Sequence, residues 1–302
     1  MNYDFAFWTP GRAPAGDGSI FGCAAHGLAA PGQWIAPTLP ASTVWPTRLN
    51  GETLSGTYAD VLAQLERRTR KPTAAVVLFA HGSGMEAFLE GWAARLPGVP
   101  VVGGAAARGA GQQRGELRPE SADVAVLLIA GGTWRAETLN AHDATAETFA
   151  VKPGDPRLLA ELRRLPDGAW EPAGAFYRAR QRAHGVPESD CEAITFSDTD
   201  GRNIHCGLCG SELRSGANLP VDRRLALRTV SRADAAARLA AFCAVPNALV
   251  FSCAGLRGLL DAPLTVAPGT LVGFMFGELV TVADRPQFGN LMAARLLSVS
   301  SR

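Results

Sequence analysis

The stretch ALVFSCAGLRG (residues 248–258) constrains the fold more than any other segment of the chain. The apolar run Ala248–Phe251 ends in Ser252, Cys253, Ala254 and Gly255 and passes straight into Arg257 and Gly258. A short apolar run bounded by turn residues suits a fully buried strand. The small residues after it let the backbone approach a ligand closely, with a thiol, a guanidinium and free N–H groups near the strand end. A second apolar strand follows in GFMFGELV (273–280) and delivers an acid, Glu278, just after Gly277. Burying an acid is costly unless it has a partner, and Arg257 is the candidate. Together these residues describe a pocket for a small polar molecule.

Around that segment, apolar runs of two periods alternate. Helices are expected over 58–70, 85–95, 156–165 and 232–243, and strands over 75–80, 99–103, 123–130, 192–196, 203–206 and 226–230. Such alternation is the signature of α/β layering. The run Lys152-Pro153-Gly154-Asp155-Pro156 is the strongest punctuation and sets an expected boundary. The expected architecture is a two-lobed mixed α/β fold, lobes 1–150 and 151–302, with a ligand cleft between them. Residues 1–57, rich in Gly, Pro and Ala and holding Trp8, Trp34 and Trp45, read as an arm packed on the body.

Charge narrows the partners. Net charge is +1, with 11 basic and 13 acidic residues up to position 150 and 18 and 15 after it. Neither half has the basic excess that nucleic-acid binding needs. The start, MNYDFAFWTPG, has no basic n-region, and no stretch approaches the roughly 18 apolar residues that span a bilayer. Six irregularly spaced cysteines do not form a disulfide framework. The expectation is a cytoplasmic protein with reduced thiols, no nucleic-acid or membrane partner, and self-association left open.

Several residues carry candidate chemistry. Cys253 reads as a nucleophile, a metal or haem ligand, or a small core residue. Arg257 and Glu278 read as a structural ion pair, or as a fork for a ligand carboxylate and an acceptor for a ligand amine. His205, Cys206 and Cys209 form a weak metal or redox candidate, with Cys191 upstream. On a straight strand the two thiols of C-x-x-C would point to opposite faces. Gly103 and Gly104 read either as an anion cradle or as a tight strand-to-loop turn. His81 follows a strand, where ligands collect in α/β sheets. His26, His142 and His184 read as surface residues. Neither a dinucleotide fingerprint nor a P-loop is present.

These motifs resemble the FIST (F-box and intracellular signal transduction) family. Cys253, Ala254 and Gly255 match its C-x-G-R strand end, although Leu256 intrudes before Arg257. Gly273-Phe274 through Gly277-Glu278 resembles its next strand, one residue short. Asn290 matches, while Met292 stands where a threonine is expected. VVLFAHG (76–82), VPVVGGAAARG (99–109) and DVAVLLIAGG (123–132) resemble the N-terminal half, so the likeness spans roughly residues 58–300. The resemblance implies a compact stand-alone sensor of small ligands such as amino acids. Gly103, Gly104, Cys253, Arg257, Glu278, Asn290 and His81 would then line the site. With no output module evident, a separate signalling protein would be the partner. Two rivals stay open: an enzyme using Cys253 as nucleophile and Glu278 as acid or base, and a haem or metal sensor with His81 or His205 as first ligand.

Overall fold

The computed structural model describes residues 2–8, 20–25, 28–31, 33–35, 42–80, 84–106, 110–113, 122–188, 191–282 and 284–299. The fold is mixed α/β, built around two sheets packed face to face. The larger sheet runs in the order Arg285–Gly289, Glu278–Val282, Val101–Ala105, Ala74–Phe79, Val124–Ile129, Leu49–Gly56, Asn2–Trp8, Ile20–Ala24, Ala110–Gln113. The second runs Trp134–Asn140, Met292–Ser298, Leu249–Cys253, Leu271–Met275, Leu28–Ala30, Gln33–Ile35.

Alternation along the buried strands explains the layering. Ala74, Val76 and Leu78 point into the core between the sheets, where they join Phe5, Phe7, Phe251 and Leu296. Their neighbours Ala75, Val77 and Phe79 point the other way, onto helix Met85–Arg95 through Phe88, Leu89 and Trp92. In the second sheet Leu249 and Phe251 face the shared core, while Val250 and Val272 face helix Arg232–Cys243 through Leu239 and Phe242. Strands apolar on both faces are the mark of a sheet covered on both sides. A third sheet, with helix Ala173–Ala183, has its own core of Phe149, Phe176, Tyr177 and Phe196 and forms a smaller lobe.

Both helices flanking the sandwich have the bounds expected from their periodicity. Ser231 caps the second of them by accepting from the Asp234 N–H at 3.0 Å. The helix expected over 58–70 spans Tyr58–Glu66, started by a Thr57–Asp60 capping box.

Three expectations need correction. Residues 156–165 are not helical: Leu158–Leu159 and Glu161–Arg164 are strands, and Leu162 pairs with Val151. The apolar spacing there fits either period, and the sheet ladder decides. Residues 1–57 are more than an applied arm, since Asn2–Trp8 lies within the larger sheet and Leu28–Ala30 within the second. Gly103 and Gly104 lie inside strand Val101–Ala105, not in a turn after it, with ladder partners on both sides. The strands Glu278–Val282 and Arg285–Gly289 join the larger sheet, and Trp134–Asn140 joins the second, so strands from both sides of residue 150 build each sheet.

Candidate functional site

The strand Leu249–Cys253 ends in a five-residue helix, Ala254–Gly258, with Cys253 as its N-cap. Next to it in space, strand Glu278–Val282 begins with a fully buried acid. The Cys253 thiol and the Glu278 carboxyl lie close enough for each to shift the ionisation of the other. Burial pushes the Glu278 carboxyl well above the usual carboxylate range, and Cys253 and backbone N–H groups act in the opposite direction. Burial, and then the charge of Glu278, push the Cys253 thiol up as well. Arg257 is not among the groups that set the ionisation of Glu278. It sits in the short helix, partly exposed.

A turn on the opposite wall completes this arrangement. Leu291 adopts a left-handed backbone (φ 55°), a strained state for a bulky residue. Successive N–H groups around such a residue can converge on one spot. Here the Met292 N–H donates to Glu278 Oε2 at 3.4 Å, and the backbone of Leu291 favours the Cys253 thiolate against its burial. Gly255 packs against the same turn, since a Cβ there would collide with Leu291 Cδ2. On the sheet, Gly104 is the ladder partner of Glu278. The two are therefore neighbours in one sheet instead of facing each other across a cleft. A Cβ on Gly104 would come within 2.7 Å of the Gly277 carbonyl, so close strand packing requires glycine there.

The smaller lobe closes the seam. Asn203 and Asn140 exchange amide hydrogen bonds at 2.8 and 3.0 Å, and Asn203 Nδ2 reaches the Leu291 carbonyl at 3.4 Å. The Asn290 N–H donates to the Asn203 carbonyl at 3.3 Å. The Asn290 side chain lies between Gly277 and Gly216, and the Gly216 N–H in turn donates to the His205 carbonyl. His142 is 2% exposed, donates to the Glu192 carbonyl through Nε2 at 2.7 Å, and is pushed down to about 4 by burial. Burial lowers His205 too, with Glu192 opposing.

Glu278 Oε1, Asn290 Oδ1, His205 Nδ1 and His142 Nδ1 are enclosed atoms with no hydrogen-bond partner. Buried polar atoms are nearly always paired, so this concentration demands a cause.

The remaining expected residues fall as follows. Cys206 is buried and Cys209 exposed on strand Cys206–Cys209, so the two thiols point apart as a straight strand requires. Among the described residues, no group of three His, Cys, Asp or Glu side chains is placed to hold a metal. His81 and His26 lie outside the described residues. His184 is exposed and pairs with Glu147 at 3.1 Å. His142 is a correction: the sequence shows it as an isolated polar residue, but the ladder Asp143–Val151 and helix Arg232–Cys243 fold around it. Glu192, Asn203 and Leu291 belong to the site without any motif announcing them.

A family model described as the FIST N domain matches residues 12–163, half of the chain, including much of the segment before residue 58. No curated protein matches the chain. No helix among the described residues is long and apolar enough to cross a membrane.

Proposed function

Because the chain belongs to the FIST family, we propose that it is a signal-transduction sensor that binds a small, amino-acid-like molecule in the seam around Cys253, Glu278, Asn290 and His205. The observation that carries this reading is the set of enclosed, unpartnered polar atoms where the two sheets and the smaller lobe meet. A ligand ammonium or amide donates to Asn290 Oδ1 and Glu278 Oε1, and the planar fork of Arg257 receives a carboxylate. Gly103 and Gly104 keep the strand beside Glu278 bare, and His81 follows the adjoining strand Ala74–Phe79. The signal passes to a separate protein in the cytoplasm, in keeping with six free cysteines.

The enzyme reading is the weaker one. A reactive thiol needs an electropositive surrounding, whereas burial and Glu278 both hold Cys253 in its neutral form. For a haem or metal role, His205 belongs to no group of three His, Cys, Asp or Glu side chains among the described residues that could hold a metal.

Thermal unfolding in the presence of individual free amino acids tests the proposal. At least one should stabilise the protein saturably, by about 2.7 kcal/mol at a hundredfold excess over Kd. Arg257→Ala and Asn290→Ala should each abolish that shift. A panel without any saturable stabilisation, or full retention in Arg257→Ala, would overturn it.

A further inference from the structure

A cavity outside that seam lies beside the edge strands of the two sheets. It measures about 470 Å³ and lies between the end of helix Met85–Arg95, strand Trp134–Asn140 and the start of strand Arg285–Gly289. That volume falls within the range of small-molecule sites. Leu96, Val99 and Pro286 give it apolar walls.

Its polar groups are few and uneven. Trp92 lines the cavity, is 1% exposed, and its indole N–H has no acceptor. The contrast with Trp134 on the facing wall is informative, because that indole donates to the Gly131 carbonyl at 3.0 Å. An indole nitrogen can only donate, so what completes Trp92 must be an acceptor. At the mouth stand Arg135, Arg285 and Asp284. Arg135 is already engaged by Glu137 at 2.6 Å. Arg285 is exposed and offers a guanidinium fork beside apolar walls.

We propose that this cavity is a second ligand site, taking an apolar molecule that carries a carboxylate. The apolar body lies against Leu96, Val99 and Pro286, and the carboxylate accepts from Arg285 and the Trp92 indole. This site is separate from the amino-acid-like site above and stands or falls independently of it.

Calorimetric titration of the full chain with octanoate, octan-1-ol and octylamine tests the proposal. Octanoate should bind saturably at one site and about tenfold more tightly than octan-1-ol, since a hydrogen bond to a charged group is the stronger kind. Trp92→Phe should weaken octanoate binding by about tenfold. Arg285→Gln, a surface change that leaves the fold out of question, should remove the preference for octanoate over octan-1-ol. Absence of saturable binding, octylamine binding as well as octanoate, or an unchanged octanoate preference in Arg285→Gln would overturn it.

Discussion

Two carboxylates stand where the sandwich meets the smaller lobe, and they are treated in opposite ways. Glu86, in the first turn of helix Met85–Arg95, accepts from the Asn218 N–H at 2.8 Å and pairs with Arg157 at 3.4 Å, with its side chain 19% exposed. Glu278 is fully buried, takes one long backbone bond at 3.4 Å, and keeps Oε1 unpartnered. Docking two lobes therefore does not by itself strand polar atoms. The Glu86 contact is an ordinary satisfied latch, whereas the Glu278 seam holds groups in a state that costs stability until something else satisfies them. The same lobe boundary thus holds one satisfied carboxylate and one that is not.

The sharpest way to break this comparison is to titrate it. Glu278 has a folded carboxyl pushed above its unfolded value, so the folded state binds more protons than the unfolded one once pH exceeds about 4.5. Stability should fall as pH rises from there, by up to about 1.4 kcal/mol per pH unit for this one group. Glu278→Gln keeps the shape, removes the charge, and should be more stable than the unaltered protein at neutral pH. Urea denaturation from pH 5 to 8 reads both slopes; parallel curves would mean that Glu278 is not held neutral by its burial.

His142 supplies the opposite slope, and a smaller effect near neutrality. Its folded value is pushed from 6.5 down to about 4, mainly by burial. The unfolded state therefore binds the extra proton between those values, and stability should be lost as pH falls through that window. The full loss is about 3 kcal/mol below pH 4. His142→Gln can still donate to the Glu192 carbonyl without titrating, so its acid limb should be flatter. An unchanged acid limb would place His142 in a wetter setting than its 2% exposure describes.

How much of this was legible beforehand divides along the same boundary. Helices 85–95 and 232–243 and the buried strands follow from periodicity, because their partners lie on both faces and nothing competes with the local pattern. Cys253, Glu278 and Asn290 were legible as residues that end buried strands or follow them, and the structure brings them together. Arg257 as the partner of Glu278 was inferred from cost alone, and desolvation turns out to set that carboxyl instead. Asn203, Glu192 and His142 reach the seam from the smaller lobe and its flanks, so no local spacing marks them. Leu291 was hidden for another reason: a left-handed leucine is imposed by surrounding contacts and has no signature in its own residue type.

The smallest expected effect is at the latch itself, and it is the control on which the comparison depends. Glu86→Gln retains an oxygen for the Asn218 N–H and removes only the charge facing Arg157, whose side chain is 32% exposed. Arg157 also keeps its bond to Asn218 Oδ1 at 3.0 Å, so no group is left buried without a partner. A partly exposed pair of this kind is worth about 1 kcal/mol or less and is screened by salt. Glu86→Gln should therefore lose no more than that at low ionic strength, lose almost nothing at about 1 M salt, and show the same pH slopes as the unaltered chain. Denaturation at both salt concentrations measures it. A loss of several kcal/mol that survives high salt would mean that the latch is as strained as the seam, and that unpartnered atoms around Glu278 reflect how the lobes dock and not a place kept for a ligand.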